Sequence, residues 1–204
     1  MAYQRKDAYY HKAKREGERS RAAYKLEQLE KKFHLFRRGD KVLDIGNFPG
    51  GWTQMAARKV GLEGVVIGVD LDPVDPIPEP CVKQIQGDIT DPEIIASVRE
   101  GFGGEDKKVQ VVMSDASPKL SGVRDADSAR QLALVEAIYE TALQMLAPGG
   151  HFIAKVFSRA TPHELIADAK KRFKRVKQHK PDASRKESSE IYLVCCEFKG
   201  EELP

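Results

Sequence analysis

The sequence predicts an α/β domain whose mostly parallel sheet is covered by helices on both faces. Three observations carry that expectation. From residue 40 onward, short β-branched runs alternate with longer segments of helical period, as in βαβ units. Those runs end on Gly46, Asp70, Gly87-Asp88 and Ser114-Asp115, residues that turn the chain. A length of 204 residues at 41% hydrophobic content supplies one generous core, so neither a disordered chain nor a disulfide-stapled miniprotein fits.

The elements follow in order. Residues 1–17 are polar, with Arg5, Lys6, Lys12, Lys14 and Arg15, and read as a mobile basic arm. Ala22, Ala23, Leu26, Leu29 and Phe33 recur at helical spacing, so residues 20–33 form an amphipathic helix capped near Ser20. Residues 42–46 are a buried strand, followed by the loop Asn47-Phe48-Pro49-Gly50-Gly51 and a helix over 52–59. Strands are expected at 64–70, 82–86, 109–113 and 151–157, and helices at 91–100, 127–146 and 162–173. Two further strands, 174–179 and 190–198, have only a short basic loop between them and so suit an antiparallel edge pair. The domain limits are an arm at 1–19, one domain at 20–199 and a tail at 200–204.

Composition excludes an embedded membrane protein. The charged fraction is 32%, against roughly 25% in typical soluble chains, and no window of about 18 apolar residues exists. Cys81, Cys195 and Cys196 offer neither a disulfide framework nor metal-ligand spacing, so a reducing cytoplasm and no metal are expected. The net charge of +3 hides an asymmetry: residues 1–38 carry +7, residues 39–154 carry −8 and residues 155–204 carry +4. Basic ends around an acidic middle point to a polyanionic partner, or simply to a salt-bridged surface.

Ligands of open parallel sheets bind at the carboxyl ends of strands. Asp44, Asp70, Asp88 and Asp115 fall at or near such ends. A carboxylate such as Asp70 can accept both hydroxyls of a ribose, and Asp88 an exocyclic amine. The loop Gly46-x-x-x-Gly50-Gly51 is neither the dinucleotide Gly-x-Gly-x-x-Gly pattern nor a phosphate-cradling Walker loop. An acidic rim repels phosphate and suits a cationic adenosyl ligand, and S-adenosylmethionine has that sign. Taken singly, each Asp or Gly is more simply a loop residue; the ordered set is not. Lys155 interrupts the apolar strand Phe152-Ile153-Ala154-Lys155-Val156-Phe157, on the face opposite Ala154 and Val156, and Lys25 sits in the first amphipathic helix. A lysine snorkelling at a strand end is the ordinary reading. A partly desolvated lysine near a second cation can instead act as a general base.

These residues resemble the FtsJ/RrmJ-type RNA ribose 2′-O-methyltransferases. The matching segments are Ser20-Arg21-Ala22-Ala23-Tyr24-Lys25-Leu26, Asp44-Ile45-Gly46-x-x-Pro49-Gly50-Gly51-Trp52, Gly68-Val69-Asp70-Leu71, Gln86-Gly87-Asp88, Val112-Met113-Ser114-Asp115-x-Ser117-Pro118, Leu146-Ala147-Pro148-Gly149-Gly150, Ala154-Lys155-Val156-Phe157, and Lys180-Pro181-x-x-Ser184-Arg185 leading to Ser189-Glu190-Ile191-Tyr192. The resemblance implies a Rossmann-like class I methyltransferase fold, a seven-stranded mostly parallel sheet with an antiparallel last strand. It implies S-adenosylmethionine bound by Gly50, Trp52, Asp70, Asp88 and Asp115, and a catalytic tetrad of Lys25, Asp115, Lys155 and Glu190. It implies methylation of a uridine ribose in large-subunit ribosomal RNA. Asn47-Phe48 depart from the small residues usual in that loop, and Phe48 is bulkier.

For RNA, the run Lys170, Lys171, Arg172, Lys174, Arg175, Lys177 and Lys180, with Arg185 and Lys186 beyond it, can neutralise phosphates, as can the N-terminal arm. A solvated helix face is the competing explanation of that run. A tRNA anticodon loop is the alternative substrate. A noncatalytic ribosome-assembly factor is disfavoured by the complete tetrad, and a nucleotide-dependent oxidoreductase by the missing glycine pattern. A monomer is expected.

Overall fold

The computed structural model describes residues 7–118, 122, 124–157, 163–185 and 188–200. Seven strands form one sheet: β1 (Lys41–Ile45), β2 (Val65–Asp70), β3 (Val82–Gln86), β4 (Val109–Ser114), β5 (Leu146–Phe157), β6 (Phe173–His179) and β7 (Glu190–Phe198). Their order is β3-β2-β1-β4-β5-β7-β6. The first five pair in parallel, while β7 runs antiparallel to both β5 and β6. The strand order reverses between β1 and β4, which opens a crevice at their carboxyl ends. The Rossmann-like expectation holds, with one refinement. The last two strands do pair, but β7 inserts beside β5 and leaves β6 on the edge.

The described residues hold six helices, α1 (Ala8–Glu16), α2 (Ala22–Phe33), α3 (Gly51–Val60), α4 (Pro92–Gly101), α5 (Arg124–Met145) and α6 (His163–Arg172), of which α1 packs on α2 rather than on the sheet. Period-2 alternation sends alternate strand residues to two cores. One holds Leu43, Ile67, Val112, Phe152, Ala154 and Leu193, packed under α4, α5 and α6 by Val98, Ile138, Tyr139 and Leu165. The other holds Val42, Val66, Val111, Met113, Ile153, Tyr192 and Val194, packed under α2 and α3 by Leu26, Leu29, Trp52 and Ala56. Leu26 and Leu29 are fully buried, each worth about 2 kcal/mol. This second face carries the chemistry. Among the described residues no helix is long and apolar enough to cross a membrane.

Three departures from the sequence reading have local causes. Residues 8–16, expected as a mobile arm, are helical. Asp7 caps α1 by accepting from Tyr10 N at 3.0 Å, and Gly17 ends it in the left-handed region. Ala13 and Tyr24 bury themselves against Ala183. Arg5 and Lys6, the rest of that arm, lie outside the described residues. β5 begins at Leu146, which pairs with Val109, and the Ala147-Pro148-Gly149-Gly150 stretch is an irregularity before His151 resumes the ladder opposite Val111. The expected helix at 162–173 begins at His163 in the described residues and gives way to β6 at Phe173.

Candidate active site

Strand parity assembles the site. Asp44 follows Val42, Asp115 follows Met113, Lys155 follows Ile153, and Glu190 and Tyr192 precede Val194, so all five point to the α2–α3 face. Register then brings Lys155 directly opposite Tyr192. Lys25 comes down from α2, whose buried face also holds Tyr24, Leu26 and Leu29.

Two of the tetrad residues, Lys25 and Lys155, converge on the carboxylate of a third, Asp115, and Glu190 joins them through Lys25. Lys155 Nζ lies 3.5 Å from Asp115 Oδ1 and donates to the Asp115 main-chain carbonyl at 2.6 Å. Lys25 Nζ lies 3.7 Å from Asp115 Oδ2 and 3.4 Å from Glu190 Oε2. Lys25 and Lys155 are only 8% and 7% exposed, which for lysine requires paired acids. Two lysine Nζ atoms therefore flank one carboxylate at the mouth of the β1–β4 crevice.

Beside them lie the expected ligand residues. Asp70 ends β2, and its Oδ2 accepts from Phe48 N at 2.8 Å and its Oδ1 from Asp72 N at 3.0 Å. Asp88 follows β3 and accepts from Thr90 N and Oγ1 on Oδ1. Gly50 caps α3 with φ +102°, where a Cβ would crowd Ile77 and Arg19. Arg19 ties the two loops around this region: Nη1 donates to the carbonyls of Pro49 (3.3 Å) and Asp75 (2.9 Å), and Nη2 to that of Pro76. Trp52 is buried: Nε1 donates to the Ala22 carbonyl at 2.9 Å, and its ring lies 5.5 Å from that of Tyr192. Its side chain braces the start of the helix that carries Lys25.

The departure at residues 47 and 48 resolves into two roles. Asn47 is buried, and its amide donates to Thr53 Oγ1 at 3.2 Å, over the space that glycine leaves at Gly68. Phe48 is 56% exposed on the rim. The added bulk points away from the packed interior.

The basic run divides. β6 is parallel to β5, because both oppose β7, so its start lies at the end of the sheet away from the tetrad. Lys170, Lys171 and Arg172 end α6, and Lys174 and Arg175 begin β6, all at that far end. Arg172 pairs with Asp168 at 2.8 Å, and Lys174 and Arg175 each reach Glu197 at 3.3 Å. Lys177 is mid-strand, level with Val194. Lys180 and Arg185 lie at the tetrad end, where Lys180 Nζ donates to the Ser188 carbonyl and Arg185 Nε lies 3.8 Å from Asp7. Lys186 lies outside the described residues. Among the described residues no group of three or more His, Cys, Asp or Glu is placed to hold a metal.

Comparison with known proteins identifies the family of the chain. The family model for FtsJ-like methyltransferases matches residues 18–198. The chain belongs to that family. The ribosomal RNA large subunit methyltransferase E of Methanobrevibacter smithii is 46% identical over 193 residues, covering 95% of this chain and 90% of that one. The protein of the same name from Syntrophobacter fumaroxidans is 45% identical over 194 residues, covering 95% and 96%. A crystal structure from Plasmodium falciparum, provisionally named a ribosomal RNA methyltransferase, is 32% identical with a TM-score of 0.77, covering 90% of this chain and 100% of that one.

Within the FtsJ-like fold, sequence reasoning passed over two groups. Tyr192 donates to Asp115 Oδ1 at 2.6 Å from a position with no exposure. Burial, then the neighbouring Asp115 charge, hold its phenol well above the ordinary tyrosine range, so it remains a donor. Its signal was its i+2 spacing from Glu190. The second group is the buried chain Asn47–Thr53–Asp44, in which Thr53 Oγ1 donates to Asp44 Oδ2 at 2.6 Å. Nothing in the sequence marks Thr53 as Asp44's partner.

Proposed function

We propose that this chain transfers a methyl group from S-adenosylmethionine to the ribose 2′-hydroxyl of a uridine in large-subunit ribosomal RNA. The observation that carries the reading is the meeting of Lys25 and Lys155 on Asp115 beside the acid-lined crevice. The residues suit the donor. Asp70 ends β2 and Asp88 follows the neighbouring β3, where carboxylates can accept from a ribose and an adenine amine, and Asp44 has a buried oxygen with no partner among the described contacts. An anionic site of this kind favours a sulfonium ligand. The donor supplies an already activated methyl group.

The chain's own residues supply alignment and proton handling. Lys155, acting as the neutral amine, takes the hydroxyl proton onto Nζ and becomes the ammonium. Asp115 fixes that amine with its carboxylate and its main-chain carbonyl. Lys25 stabilises the oxyanion that develops on the ribose, and Glu190 holds Lys25. The 2′-hydroxyl is the nucleophile because only RNA presents it. Lys180, Arg185 and the cations of α1, at the tetrad end, receive the backbone phosphates, and the run from Lys170 to Lys177 extends that surface. The name shared by the curated relatives favours large-subunit RNA over a tRNA anticodon loop.

The test is Lys155→Ala. Donor affinity should stay within about twofold while methyl transfer falls by at least roughly 100-fold, the usual contribution of a general base. Transfer near the wild-type rate would remove Lys155 from that role.

A further inference from the structure

Asp44 takes no part in the reaction as proposed, yet it lies beneath the centre of the crevice. β1 is flanked by β2 and β4, and Asp44 pairs in register with Gly68 and Met113. The residue is 1% exposed. Oδ2 accepts from Thr53 Oγ1, and that hydroxyl oxygen itself accepts from Asn47, so the hydroxyl hydrogen is committed to Asp44. Oδ1 is buried and has no hydrogen-bond partner.

The charged groups that act on it directly are of one sign. Asp70 at the end of β2 and Asp115 after β4 face it as anions. The loop between β1 and α3, residues 46–50, carries no charge. The cations of α3 are turned away, Arg58 to Glu18 and Glu79, and Lys59 to Glu30. Lys25 from α2 and Lys155 from β5 reach Asp115. A dry carboxylate held by Thr53 alone, through its hydroxyl and its main chain, with one oxygen unpartnered and two anionic neighbours, favours its neutral form. Burial chiefly, then Asp115 and Asp70, push its ionisation up to about 7.

We propose that Asp44 is a proton switch that reads the charge of the ligand above it: a cationic methyl donor drives its proton into solvent, and the neutral sulfide product lets the proton return. The inference rests on the S-adenosylmethionine reading above. In that reading the donor's sulfonium and ammonium lie over the strand ends, where a positive charge stabilises the Asp44 carboxylate. Loss of the methyl group removes the sulfonium charge, so the product holds the carboxylate less well. No covalent bond to Asp44 is made or broken except O–H. The consequence is a preference for donor over product that grows with pH.

Titration calorimetry of the full chain tests this, with S-adenosylmethionine and S-adenosylhomocysteine in buffers of differing ionisation enthalpy between pH 6 and 8. Donor binding should release more than half a proton near pH 6.5, and its Kd should fall about tenfold from pH 6 to pH 8, the limit for one ionisation at 7. Product binding should release clearly less. Asp44→Asn, which keeps the acceptor for Thr53, should abolish the release and flatten the donor profile. Equal release with the two ligands, or release that survives in Asp44→Asn, overturns the switch. The wild-type comparison of donor with product stands even if the variant folds poorly. Failure of the wild type to bind the donor at all overturns the cofactor reading and this inference with it. Donor binding without proton release overturns the switch alone.

Discussion

Tyr192 shows how much of the site depends on a group that does no chemistry. Its hydroxyl holds Asp115 Oδ1 at 2.6 Å, which leaves that carboxylate one orientation in which Lys155 meets Oδ1 and Lys25 meets Oδ2. Tyr192→Phe keeps the ring packed on Trp52 and removes only the donor. The expected result is a fall in kcat of about tenfold, the worth of one hydrogen bond to a charged group, with donor Kd unchanged. Steady-state kinetics beside donor titration read both. The two lysines were legible in the sequence because an ammonium in an apolar strand or on a buried helix face needs a reason. Tyr192 was not, because a tyrosine in an apolar strand satisfies the packing pattern by itself. Asp44 was seen as an acid before a glycine loop, but its pairing with Thr53 depends on how α3 settles on β1, which no spacing reveals.

At the scale of elements, the strands were legible where one period held and less so where geometry crossed between segments. β1, β2 and β4 follow the β-branched runs because both their faces are buried. The insertion of β7 beside β5 is a long-range choice. It is visible afterwards in Leu193, Val194, Cys195 and Cys196, all fully buried as a central strand requires. α1 escaped the reading because its composition is polar. It is held instead by a cap, by Tyr9 and Ala13 against Tyr24 and Ala183, and by Asp7, which bonds Arg21 and lies near Arg185. The direction of β6 also separates the basic run into two ends. If RNA approaches from the tetrad end, Lys180→Glu should weaken RNA binding and flatten its salt dependence more than Lys171→Glu or Lys174→Glu, with donor binding unaffected in all three. Filter binding across a salt series measures this. A larger loss from the changes at 171 and 174 would place the main RNA contact on the far end.

Across the whole molecule, the weak net charge conceals a division that the fold makes spatial. The acidic segment, residues 39–154, supplies Asp44, Asp70, Asp88 and Asp115 to the crevice. The basic ends supply Lys25 and Lys155 to its mouth, and α1, Lys180 and Arg185 to the surface around it. Under the proposed function, a cationic donor and an anionic nucleic acid would meet at Asp115. The measurement that tests this account most directly is transfer of a labelled methyl group from S-adenosylmethionine to large subunits, naked ribosomal RNA and tRNA offered separately, followed by alkaline hydrolysis of the product. A 2′-O-methyl group blocks cleavage at its own nucleotide. The account predicts label in an alkali-resistant dinucleotide containing uridine, from large-subunit RNA and absent with Lys155→Ala. Label recovered on a base, in an alkali-labile mononucleotide, or only in tRNA would contradict it.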